Sequence, residues 1–243
     1  MALPKLTVPT YETILPVTKT AVSFRPFLVK EEKLLLIAMQ SKDSETITKT
    51  VIQILKNCIL TKLDVDNLPL VDAEYLFLQL RARSVGEGIE VNYKCTKIVN
   101  EELQTRCGTT STHTVDLLTI QAKFSDGHQQ VIALTDTIGV TMRYPTMGVV
   151  GRFDFQNLSP KDLFDFMGSN IESIYDADRV YPSKEISKPE LSEFLDSLNS
   201  AQSKQLQAFF ETLPQLSATI AFHCPTCQHQ ELVEVKGLQN FFA

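Results

Sequence analysis

The chain has 243 residues, 43% hydrophobic and 21% charged, with a formal net charge of −6 and a pI near 5.3. That balance suits one or two globular domains with a real core and excludes disorder along the whole length. The acidity argues against a nucleic-acid groove or an anionic membrane as the main partner, and no apolar run approaches the ~20 residues of a membrane span.

Residues 10–15 and 20–24 are rich in β-branched and aromatic residues around Pro16 and predict a hairpin that Pro26 ends. A helix is expected over 29–39, where Glu31 and Glu32 suit a helix start, and another over 45–60, where Val51, Ile52, Leu55 and Ile59 recur at helical spacing. Cys58 lies close to that apolar face and reads as a small buried hydrophobe. A third helix is predicted over 71–84, with Leu76, Phe77 and Leu80 inward, Arg81 and Arg83 at its C-terminal end, and Gly86 and Gly88 as its stop.

From 89 to 134 the pattern turns strand-like. Strands are expected at 89–93, 113–124 and 130–134, the last two joined through Asp126-Gly127 as a hairpin, with 96–112 as a polar loop. Helical pattern returns after Pro145: 159–167 with Ser159 as cap and Pro160 at the first position, then 188–198 and 200–212, the latter capped by Asn199 or Ser200. Extended segments at 218–223 and 231–235 flank a CxxC turn, and a short helix is expected at 237–242. The beginning of the sequence lacks a charged segment leading into an apolar one, so no secretory signal is expected.

Five cysteines in a chain without an export signal point to thiol or metal chemistry before a disulfide framework. Cys224-Pro225-Thr226-Cys227 places two thiols in a tight turn between strand-like segments, half of a zinc-ribbon pattern. Cys95 and Cys107 are the pair available to complete an all-cysteine structural site, although eleven residues (96–106) lie between them. His223 and His229 flank the CxxC as substitutes or as ordinary turn residues. Three readings stay open: a structural zinc held by Cys95, Cys107, Cys224 and Cys227, a redox CxxC, and a metal-free turn. A redox CxxC normally opens a helix, which disfavours the second.

No nucleophile, phosphate-loop or zinc-hydrolase pattern occurs among the four histidines and nine glycines. Asp176-Ala177-Asp178 reads as a solvated turn before it reads as a cation site. Phe209-Phe210 is expected in the core, and Phe241-Phe242 either on its own domain or on a partner.

Several long segments resemble the T4-like bacteriophage baseplate hub family of hub subunits and hub assembly proteins. They are MALPKLTVPTYE (1–12), FRPFLVKEEKLLLIAM (24–39), LPLVDAEYLFLQLRARSVGE (68–87), MRYPTM (142–147), SIYDADRVY (173–181) and FHCPTCQHQELVEVKGLQNFF (222–242). The resemblance implies two paired cysteine-bearing turns, of which Cys224 and Cys227 keep the second, and Cys95 and Cys107 would be a stretched first. It also implies structural work without turnover in a contractile tail, or the work of a chaperone absent from the mature particle. A CxxC thiol oxidoreductase and a zinc-dependent nucleic-acid adaptor are the readings of other classes. The implied partners are other hub and tail proteins, including the tape-measure protein and further copies of the chain, with neither nucleic acid nor membrane. The implied location is the virion's tail baseplate, assembled in the host cytoplasm. Phe24, Phe27, Leu28, Tyr75, Phe77, Arg81 and Arg83 are candidate interface anchors, or core and helix-end residues.

The expected fold is α+β: a helical body, a β-rich middle and a zinc-ribbon-like C-terminal hairpin. Residues 1–243 form one unit with sub-regions 1–88, 89–150, 151–216 and 217–243.

Overall fold

A computed structural model describes residues 6–41, 43–153, 155 and 157–236. It is α+β, as expected. The first strands, β1 (Tyr11–Ile14) and β2 (Ala21–Phe24), pair antiparallel with Tyr11 opposite Phe24. The turn between them is pinned from outside: Asp72, fully buried, accepts backbone N–H bonds from Val17 at 2.7 Å and Thr18 at 2.9 Å. Burying a carboxylate is costly unless its oxygens are satisfied, so this pair of bonds fixes the hairpin on the helix that carries Asp72.

Helices α1 (Val29–Ser41), α2 (Ser44–Cys58) and α3 (Leu70–Ser84) follow. Helix α2 starts at Ser44, one residue before the expected 45, and its cap Asp43 accepts from the Thr46 N–H at 2.9 Å. Helix α3 is central. Its Leu76 and Leu80 pack with Phe24, Ile54 and Leu55 in a first core, while Leu78 and Ala82 on the other side enter a second. At roughly 1.5–3 kcal/mol per fully buried large side chain, a helix buried on two faces becomes the wall that joins both cores.

The second core begins with β3 (Gly88–Lys94). Then come β4 (Ile98–Asn100) and β5 (Thr105–Arg106), which pair with each other, and β6 (Thr110–Asp116), which pairs back on β3 from Gly88↔Asp116 to Lys94↔Thr110. The expected loop at 96–112 therefore contains a small hairpin. The single strand expected at 113–124 is broken, because Asp116 caps a 3-10 turn at Leu117–Thr119 before β7 (Gln121–Lys123).

Strands β8 (Val131–Ala133) and β9 (Gly139–Met142) lead to the short α4 (Met147–Val150) and to α5 (Pro160–Ser169). Strands β10 (Ile171–Tyr175) and β11 (Val180–Pro182) and helices α6 (Lys188–Asp196) and α7 (Ser200–Glu211) complete this region. The antiparallel sheet runs β11-β10-β9-β8. Helices α5, α6 and α7 each start with a capping box, at Ser159/Asp162, Ser187/Glu190 and Asn199/Gln202. Their inner faces meet the sheet in a third core of Val140, Met142, Met167, Ile171, Leu206 and Phe209. The expected hairpin across Asp126-Gly127 does not form: β8 pairs with β9, and β7 pairs elsewhere.

The partner of β7 is β12 (Gln215–His223), which also pairs with β13 (Gln230–Lys236) in the order β13-β12-β7. The helix expected at 237–242, with Phe241-Phe242, lies outside the described residues. No helix among the described residues is long and apolar enough to cross a membrane.

Candidate metal centre

The β3–β6 ladder does not stop at Lys94↔Thr110. The Cys95 N–H bonds the Thr109 carbonyl at 2.8 Å, and the Gly108 N–H returns to the Cys95 carbonyl at 3.1 Å. The Cys107 N–H then reaches the Lys97 carbonyl at 2.8 Å. These bonds close the chain so that Cys95 and Cys107 are neighbours, and β4–β5 projects as a self-paired insertion.

The C-terminal turn repeats the same closure. The Cys224 N–H bonds the His229 carbonyl at 2.8 Å, and the Gln228 N–H bonds the Cys224 carbonyl at 3.0 Å. In each turn the residue after the second cysteine is left-handed, Gly108 at φ 70° and Gln228 at φ 58°. In each turn, too, N–H groups two residues on face the sulfurs: Lys97 towards Cys95, Thr109 towards Cys107, Thr226 towards Cys224 and His229 towards Cys227.

The two turns face each other. The four sulfurs of Cys95, Cys107, Cys224 and Cys227 all lie within 4.8 Å of one another. Two close approaches cross between turns, Cys95 Sγ to Cys227 Sγ and Cys107 Sγ to Cys224 Sγ, each 3.7 Å. A tetrahedron with metal–sulfur bonds of about 2.3 Å has edges of about 3.8 Å, so the spacing fits a zinc-sized ion and is far too long for a disulfide of about 2.05 Å. Cys95 and Cys224 are buried and Cys107 and Cys227 partly so.

The sulfurs differ electrostatically. Backbone N–H groups led by that of Cys227 hold the Cys224 thiol down to about 6, and burial pushes Cys95 up to about 12. Phe222 closes the inner side, with its ring 4.6 Å from Tyr93 and 5.3 Å from His113, and the Tyr93 hydroxyl donates to Glu231 at 2.8 Å. Outside, the Thr109 hydroxyl donates to that of Thr226 at 3.0 Å, tying turn to turn.

The remaining sequence candidates fall outside this centre. His223 is exposed, and His229 Nε2 lies 3.5 Å from Glu231, so neither replaces a cysteine. Cys58 is fully buried in the first core, where burial raises its thiol to about 11. Asp176 caps its own turn, accepting from the Asp178 and Arg179 N–H groups and from the Tyr181 hydroxyl. Phe24, Phe27 and Phe77 are buried in the first core, which corrects their candidacy as interface anchors. Leu28 is exposed, Tyr75 and Arg81 are partly buried, and Arg83 sits 5.0 Å over the Tyr11 ring. Phe209 is buried in the third core with Phe210 packed against it.

A feature that sequence reasoning missed is the outer face of α1, where Val29, Leu34, Leu36, Ile37 and Met39 are all exposed. The run of apolar residues was visible, but periodicity cannot say which side of an apolar helix is left uncovered.

Fold and site thus define an α+β protein whose two β-turns converge on an all-cysteine cluster. The T4 bacteriophage base plate protein family matches residues 8–243, and the chain belongs to that family. Among curated proteins none matches the chain, and among solved structures none does.

Proposed function

We propose that the protein is a non-enzymatic component of the baseplate hub that works through contacts with other hub and tail proteins, and that its four clustered cysteines hold a structural zinc ion. The observation that carries the contact reading is α1. A surface helix with five large apolar side chains in solvent has few uses besides meeting another protein, because contiguous exposed apolar surface is rare on proteins that act alone.

The zinc reading is supported by the two 3.7 Å cross-turn sulfur approaches. When bound, zinc would join residues 95–107 to 224–227 by four thiolate bonds and make the chain one interwoven unit. The role of Cys95, Cys107, Cys224 and Cys227 is then to hold two turns together, with the surrounding N–H groups stabilising the thiolates.

Quantitative mass spectrometry of purified mature particles against infected-cell lysate tests the hub reading. A fixed, near-integer copy number per particle is expected. Abundance in lysate with absence from particles would overturn it in favour of an assembly chaperone. Replacing Leu36 and Ile37 together by lysine should leave the fold intact and abolish incorporation.

A further inference from the structure

Where the hairpin turn, the start of α3 and the entrance to β12 meet, they enclose a cavity of about 290 Å³. Val17, Leu70, Tyr144, Leu213 and Leu216 contribute to a mainly apolar wall, and Glu74 is the one acid among its described residues. Among the described residues no lysine or arginine lines it. Glu74 is partly buried, and its carboxyl group makes no hydrogen bond or ion pair with any described residue. Asp72, two residues earlier, shows the contrast: it is fully buried, but both its oxygens are engaged by the hairpin backbone.

A carboxylate among apolar walls is expensive to keep without a partner, whereas a cation on an aliphatic stem satisfies it and coats the walls at the same time. We propose that this cavity receives a lysine or arginine side chain from a neighbouring baseplate protein, with Glu74 as its counter-charge. The choice of a basic side chain over a neutral apolar one rests on charge complementarity, since among the described residues the only charged group lining the cavity is this acid, and no described residue pairs with it. Burial raises the Glu74 carboxyl to about 7, so about pH 8 is where it is mostly charged and able to hold a cation. The identity of the partner as a baseplate protein rests on the contact reading above; the cation preference of the cavity does not.

Two measurements test it. Full-length methyl-labelled protein is titrated at about pH 8 with n-hexylammonium and with n-hexanol, following the methyl signals of Val17, Leu70, Leu213 and Leu216. The ammonium should bind about tenfold more tightly than the alcohol, and Glu74→Gln should erase that preference while leaving the spectrum folded. Equal binding of both probes, or a preference that survives Glu74→Gln, overturns the proposal.

In infected cells, a benzoylphenylalanine at the exposed cavity position 215 should cross-link next to a lysine or arginine of another baseplate protein. The yield should fall about fivefold with Glu74→Gln. An adduct within the same chain, on a second copy, or on a segment without a basic residue overturns the partner assignment even where the ammonium preference holds. Particle abundance judges the hub reading separately.

Discussion

The two cysteine turns reach one geometry by different routes. Around Cys224 and Cys227, two residues of sequence suffice. Around Cys95 and Cys107, eleven residues (96–106) intervene, yet the closing backbone bonds are the same ones at equivalent positions. In the first turn the Cys107 N–H lies 2.8 Å from the Lys97 carbonyl, where the second turn simply has the peptide bond between Thr226 and Cys227. Among the described residues the insertion β4–β5 pairs only with itself, so it lengthens the chain without moving the cysteines. A ligand pair is defined by where the backbone closes, and closure cost grows only slowly with loop length.

If the turns are equivalent halves of one clip, breaking either should cost the same. Cys95→Ser and Cys224→Ser should each lose stoichiometric zinc and about 3–5 kcal/mol of stability, as should a chelator on the unaltered protein. Elemental analysis with denaturant titration measures both, and a zinc content unchanged by Cys224→Ser would refute the clip. Cys58→Ser is the contrasting case. It should cost about 1–2 kcal/mol through the first core while zinc content stays constant.

The left-handed residues sharpen the comparison. Gly108→Ala should destabilise by about 1 kcal/mol, and Gln228→Gly should stabilise by up to about 1 kcal/mol, because only glycine holds that conformation without strain. Thermal melts of the two single variants should therefore move in opposite directions. The smallest effect is expected from excising 98–106, which leaves Cys95-Thr96-Lys97 followed directly by Cys107-Gly108. That shortened chain should bind zinc as before and change stability by no more than about 1 kcal/mol. Loss of the metal on excision would mean that the hairpin holds the turn open for its cysteines.

Local chemistry was legible in the sequence where the signal is short-range. Ser159-Pro160 and Asn199 cap the helices they were expected to cap, Gly86 follows the end of α3, and the CxxC lies between two strands. The misses are cases of long-range pairing. Gly127 adopts the turn conformation, at φ 79°, but β7 joins β12 and β8 joins β9, so a sound turn signal produced a wrong hairpin. Strands β9, β10 and β11 were missed as well. The latter two sit among strongly capped helices, in the sub-region 151–216 read as helical. Gly139 shows what their pairing demands: a Cβ there would collide with the Tyr175 side chain on the neighbouring strand. At the cysteines, Gly108 after Cys107 was the signal of an equivalent turn, and the intervening hairpin disguised it.

The pairing of β7 with β12 also has a consequence in time. A ribosome delivers residues 121–123 long before 215–217, and the whole third core is made between them. At about 5–20 residues per second, β7 and the first cysteine turn wait on the order of 5–20 s for the strand that covers them. The third core, whose strands and helices all lie within that interval, can form first. The middle of the chain can therefore set before its flanks are joined, and for those seconds the nascent protein carries an unpaired β7 and a first cysteine pair without its second.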